Sequence, residues 1–245
     1  MRRKRWFLRI GASIVLILIV ASIGFAAWGA NGYLPGAEAV AAMQTDGDVT
    51  VTDAADLITF APKAPTVGFI FYPGARVLPA AYAPYMRDIA RAGYAAFIVK
   101  MPINFAIFGV NRADGIIRDN PAIKVWVIGG HSLGGSMAAQ YVAGSDKVQG
   151  LIFWASYSAS DLTKKPIKVV SVFGSADGLV KKEIAANAQK LLPADAQIVT
   201  IEGSNHAYFG WYGPQDGDNP ATIPHEQAAA QITAATVELL KAVTP

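Results

Sequence analysis

The residues best suited to chemistry are Gly129-Gly130-His131-Ser132-Leu133-Gly134-Gly135. Gly130-x-Ser132-x-Gly134 fits G-x-S-x-G, a pattern in which a strand turns sharply into a helix with serine at the apex. Side chains two positions before and after the serine would strike neighbouring backbone, so glycine suits both. The helix start also aims free N–H groups at the reacting centre. The setting agrees: Val125-Trp126-Val127-Ile128 precedes the turn, and Met137-Ala138-Ala139-Gln140-Tyr141 follows it. A glycine-rich turn without catalysis is the plainer alternative. A phosphate-binding Walker loop is excluded because no lysine stands beside a final hydroxyl residue, and the G-x-G-x-x-G dinucleotide fingerprint is absent here.

A serine hydroxyl needs a base to take its proton. The chain has three histidines, His131, His206 and His225. His206 follows a strand-like run through Glu202-Gly203-Ser204-Asn205, which suits a base hanging over a sheet edge. His131 adjoins Ser132 and is expected to point away from its Oγ. His225 opens the last helix and reads as a solvated surface residue. The orienting acid is assigned to Asp177, in Gly174-Ser175-Ala176-Asp177-Gly178, on the chain order Ser, Asp, His. Asp161 and Glu202 compete with it, and a plain Asp-Gly turn is the bland alternative. The tetrahedral intermediate needs two N–H donors. Leu133 is the first; the second comes from Pro73-Gly74-Ala75-Arg76, with Ala75 first choice and Arg76 second.

These positions require a sheet whose carboxyl edge gathers them. Strands are predicted at Asp48 to Thr52, Leu57 to Phe60, Val67 to Tyr72, Tyr94 to Val99, Lys124 to Ile128, Leu151 to Trp154, Ile167 to Phe173 and Gln197 to Ile201. Helices are predicted at Pro79 to Arg91, Val110 to Arg118, Leu133 to Ala143, Lys181 to Leu191 and His225 to Val243. The alternation gives one doubly wound, mostly parallel α/β sheet of about eight strands with helices on both faces. Ligands in such sheets bind at the carboxyl ends of the strands.

Composition narrows the partners. Arg2, Arg3, Lys4, Arg5 and Arg9 crowd the N-terminus, which leaves 16 basic against 18 acidic residues elsewhere, so no nucleic-acid-binding face is expected. Without cysteine, disulfides and thiolate chemistry are excluded. No metal or cofactor is called for. Ile10 to Ala30 is uncharged and, at about 1.5 Å per residue, long enough for a helix of roughly 31 Å that spans bilayer hydrocarbon. The basic cluster then places the N-terminus in the cytoplasm and the rest outside. A signal peptide cleaved near Ala27-Trp28-Gly29-Ala30 is the rival reading. The expected division is a basic stub and anchor over 1–31, a linker over 32–47 and a catalytic domain over 48–245.

Together, Phe71-Tyr72-Pro73-Gly74-Ala75, the glycine-rich turn around Ser132, Gly174 to Gly178 and Gly203-Ser204-Asn205-His206 resemble the α/β-hydrolase superfamily, closest to compact bacterial members near the dienelactone-hydrolase branch. The stretch Phe209 to Asp218 is also similar to a segment of such proteins. The resemblance implies a serine hydrolase acting on a small ester without a cofactor. Dienelactone hydrolases use a cysteine nucleophile, which this chain lacks, so that substrate is not carried over. Only Ser156 to Pro166 separates two strands where many members insert a lid. The pocket is then expected to be walled by Met101 to Phe108 and Tyr208 to Tyr212, unless those aromatics pack into the core. An acyltransferase on the same residues and a non-enzymatic, membrane-tethered binding protein are the alternatives. Oligomeric state is not legible.

Overall fold

The structure, a computed structural model, describes residues 2–244, with side chains from Ser13 onward. The side chains of the N-terminal basic cluster lie outside the described residues. Eight strands form one sheet in the order β1-β2-β4-β3-β5-β6-β7-β8. They are β1 (Thr50–Asp53), β2 (Leu57–Ala61), β3 (Val67–Tyr72), β4 (Ala95–Val99), β5 (Val125–His131), β6 (Gly150–Trp154), β7 (Lys168–Gly174) and β8 (Gln197–Ile201). β1, β2 and β4 pair antiparallel; every pairing from β4 through β3 to β8 is parallel.

The strand period of two sorts the apolar side chains onto two faces. Phe69, Phe71, Val125, Val127, Ile152 and Trp154 enter one core, under α3 (Ala83–Arg91) and α7 (His225–Val243). Ile70, Trp126, Ile128, Leu151 and Phe153 enter the other, under α4 (Ala113–Asp119) and α5 (Leu133–Gly144). All residues of β3 to β6 are buried, as parallel strands covered on both faces must be. α6 (Lys182–Ala188) lies between β7 and β8 in the chain. Strand order reverses at β3 and β5, whose carboxyl ends are Tyr72 and His131, and such sheets take ligands beside the strand ends at the point of reversal.

The N-terminal helix α1 runs Arg2–Ala30 and starts earlier than the uncharged run predicts. Its segment Ser13–Ala30 has mean hydropathy 2.3 and is only 6% buried, apolar enough for a membrane anchor or a signal sequence. The stretch expected as a linker holds a short helix, α2 (Ala37–Ala41), and ends in a docked turn. Asp46 there pairs with Arg87 at 2.5 Å and Arg91 at 3.1 Å, while the Arg87 guanidinium also donates to the carbonyls of Ala42 and Gln44.

Candidate active site

Ser132 sits between β5 and α5 with φ 51° and ψ −124°, a conformation sterically costly for a residue with a side chain. Its surroundings enforce it. A Cβ on Gly130 would lie 2.5 Å from backbone of Gly134 and 2.6 Å from the Tyr72 carbonyl; one on Gly134 would overlap the carbonyls of Tyr72 and Pro73. The strand, the turn and the end of β3 therefore interlock through positions that admit only hydrogen. Ser156 Oγ donates to the Ser132 carbonyl at 2.6 Å and fixes the turn from the β6 side.

The loops after β7 and β8 bring Asp177 and His206 together. His206 Nδ1 lies 2.9 Å from Asp177 Oδ2, and the two side chains are 2% and 4% exposed. The other carboxylate oxygen of Asp177 accepts from the N–H groups of Leu179 and Val180, both at 2.8 Å, so the acid is held on both sides. The competing acids stand elsewhere. Asp161 accepts from Thr163 within its own turn, and Glu202 is exposed. Among the described residues no hydrogen bond joins Ser132 Oγ to the imidazole. The His206 ring lies 4.5 Å from that of His131, the residue before Ser132. Such contacts are often long before substrate binds.

His131 is odd-numbered on β5, so its side chain turns to the α3 face. There Tyr82 Oη accepts from the Gly74 N–H at 3.0 Å and bonds His131 Nδ1 at 2.9 Å. Burial, with the neighbouring His206 ring adding to it, holds His131 well below the usual histidine pKa, so it is neutral. Its Nε2 is buried with no hydrogen-bond partner among the described residues. A Cβ on Gly74 would meet His131 Nδ1 at 2.7 Å, so glycine lets the loop after β3 lie directly on this pair. In that loop the Ala75 N–H has no backbone or side-chain acceptor among the described residues, and the same holds for Leu133. The second-choice donor is corrected: the Arg76 N–H is spent on the Asn104 carbonyl at 2.8 Å.

Two further expectations change. His225 is not a solvated surface residue. Its ring is stacked between Tyr208, at 4.3 Å, and Trp211, at 3.9 Å, and Nε2 lies 3.2 Å from Tyr85 Oη. Burial lowers its pKa. The stretch Tyr208 to Tyr212 packs inward, with Phe209 stacked on His131 and fully buried, while Phe105 and Phe108 turn toward α1.

One residue escaped sequence reasoning. Asp218 accepts at Oδ1 from the Gly178 N–H and at Oδ2 from the Ala207 N–H, each at 2.9 Å. It thus ties the residue after Asp177 to the residue after His206. Asn205 reinforces the tie through the Asn219 carbonyl, at 2.7 Å. No residue type or spacing announced this bridge; only the resemblance of its segment drew attention there.

The model of the alpha/beta hydrolase family matches residues 68–230, well over half of the sequence and all the residues above. The chain belongs to the alpha/beta hydrolase family. A search of curated proteins finds no match. Solved structures do align with this hydrolase. A carboxyl esterase from the fungus Tuber melanosporum has TM-score 0.59 and 14% identity, with 82% of this chain and 90% of that one covered. A dienelactone hydrolase from Anabaena variabilis has TM-score 0.57 and 14% identity over 80% and 97%. A thermophilic esterase from Thermogutta terrifontis has TM-score 0.56 and 17% identity over 81% and 94%. At these identities the likeness is one of fold.

Proposed function

We propose that this chain is a membrane-anchored serine hydrolase that cleaves a small ester through an acyl-enzyme. The observation that carries the reading is the buried Asp177–His206 pair at 2.9 Å, on the same sheet edge as a serine held in a strained turn. Ser132 is the nucleophile, His206 the base and Asp177 the acid that fixes the imidazole tautomer and steadies the imidazolium. As Oγ bonds to the ester carbon, its proton passes to His206 Nε2. The carbonyl oxygen becomes an oxyanion facing the N–H groups of Leu133 and Ala75. The C–O bond to the alcohol then breaks, and the alcohol leaves with the proton from His206. Water repeats the sequence on the acyl-enzyme and frees the acid. No cofactor enters this scheme.

In this reading residues 1–31 are the stub and anchor, 32–47 a connector and 48–245 the catalytic domain, outside the membrane. Retention of the anchor is favoured by its last turn, where Gly29 is buried and the Trp28 and Asn31 carbonyls accept from Arg76. The test is hydrolysis of p-nitrophenyl esters and labelling by a fluorophosphonate probe. Ser132→Ala is expected to lose both while keeping the wild-type circular dichroism spectrum. Equal labelling of this variant rules the reading out.

A further inference from the structure

The end of α1 is built into the loop that precedes the candidate oxyanion donor. Arg76 Nε donates to the Trp28 carbonyl at 3.1 Å and its second arm to the Asn31 carbonyl at 2.8 Å, while the guanidinium lies 4.2 Å over the Trp28 ring. Asn104 Nδ2 donates to the Gly29 carbonyl at 3.1 Å. A Cβ on Gly29 would meet the Ile103 carbonyl at 2.7 Å and the Phe105 ring at 2.9 Å. Three non-glycine residues of this contact, Arg76, Ile103 and Asn104, have positive φ of 60°, 45° and 58°. Such strain persists only where the surrounding structure imposes it.

The contact fixes depth as well as position. Phe25 lies five residues before Ala30, about 7–8 Å further along the helix axis. Phe105 stacks on it at 5.4 Å, and Phe108 meets it edge-on at 6.4 Å. Ile107 and Phe108 are nevertheless 55% and 54% exposed. With α1 spanning the bilayer and Ala30 at its outer boundary, Phe105 and Phe108 reach below that boundary, to the depth of roughly 5–10 Å typical of interfacial apolar faces. Trp28 then sits at the level where tryptophan is enriched in membrane proteins.

We propose that the segment Pro102–Phe108 is a second membrane contact, and that the substrate is a membrane-resident amphiphile whose ester group lies at the lipid–water interface. The occupant of the apolar rim formed by Phe25, Trp28, Phe105, Ile107 and Phe108 is the outer leaflet itself, continuous with the surface of α1. The rim is tied to the site through backbone. The Asn104 carbonyl accepts from the Arg76 N–H, and Arg76 directly follows Ala75, the proposed oxyanion donor. In this proposal an ester at glycerol depth is presented to the Ala75 side of the site. The substrate part of this proposal rests on the serine-hydrolase reading.

Because the chain has no cysteine, single cysteines report position without background. The full-length protein in phosphatidylcholine vesicles, labelled with an environment-sensitive dye at Phe108→Cys, is expected to be quenched by nitroxide-bearing lipids. The same dye at Asp195→Cys, exposed before β8, is expected to stay unquenched. Equal, weak quenching at both positions overturns the membrane contact. In the same vesicles Ile107→Ser with Phe108→Ser is expected to cut hydrolysis of a vesicle-borne fluorogenic glyceride at least tenfold and leave soluble p-nitrophenyl acetate within twofold. Parallel losses on both substrates, or none, overturn the substrate assignment. A separate failure is visible in Ser132→Ala: if it cleaves p-nitrophenyl acetate like wild type, the nucleophile is wrong while the dye result still decides the membrane contact.

Discussion

Truncating Asp218 to alanine isolates the bridge between the loops that carry Asp177 and His206. The Gly178 N–H is exposed and turns to water when its acceptor goes. The Ala207 N–H is buried and finds no substitute, so the loss is expected at about 1–3 kcal/mol, the cost of one buried unsatisfied donor. For a domain of this size that lowers Tm by roughly 4–8 °C at about 2 kcal/mol. Ala207 directly follows His206, so the released loop also frees the imidazole. A displacement near 1 Å at a reacting group costs up to about 100-fold, and kcat on p-nitrophenyl acetate is expected to fall about 10- to 100-fold with KM little changed. Asp218→Asn separates the causes. Its amide oxygen can still accept from Ala207, while its NH2 faces the Gly178 donor that water can serve. It should therefore stay within about threefold of wild type on the same reasoning. The argument fails if Asp218→Ala keeps wild-type kcat, or if Asn is as damaging as Ala.

Contacts elsewhere in the domain give two other expected outcomes. Tyr82→Phe leaves the Gly74 N–H and His131 Nδ1 without their shared hydroxyl in a buried site; a stability loss of about 2–4 kcal/mol in urea titration is expected, and a shift under 0.5 kcal/mol would contradict it. The Asp46 carboxyl is lowered to about 2 from 3.8, first by the N–H groups of Val49 and Asp48 and then by Arg91 and Arg87. A depressed folded-state pKa contributes stability above the unfolded value and loses it as pH falls through the folded one. The gap in urea midpoint between wild type and Asp46→Asn should thus hold steady above about pH 5 and close between about pH 4 and 2. A gap that widens on acidification would contradict the assignment.

The strands were legible because parallel burial leaves little room for disguise. Val67–Tyr72 and Gln197–Ile201 have the bounds read from their apolar runs. β5 runs on to His131, past glycines that suggested an earlier turn, because Gly130 and His131 still pair with Phe153 and Trp154 of β6. Helix ends were less legible. The first turn of the helix expected from Pro79 is a 3-10 turn, where Pro79 and Pro84 crowd the entry, and α3 proper begins at Ala83. α2 has five residues, too few to announce themselves by period, and exists because Ala39 is buried against its surroundings. At the site, the meeting of Asp177 and His206 was readable because each follows a strand, as Ser132 does. Asp218 and the stacking of His225 depend on approaches between distant loops, which local pattern does not encode.

The turn at Ser132 distributes its demands unevenly. The forbidden space lies at Gly130, Gly134 and Gly135, where any added carbon meets the chain, whereas the side chain of residue 132 itself is only half-buried. The architecture is therefore strict about the shape of its apex and indifferent to which reactive atom is mounted there. A substitution at position 132 would thus change the group at the apex while keeping its shape, whereas one at any of the three flanking glycines would have to displace backbone.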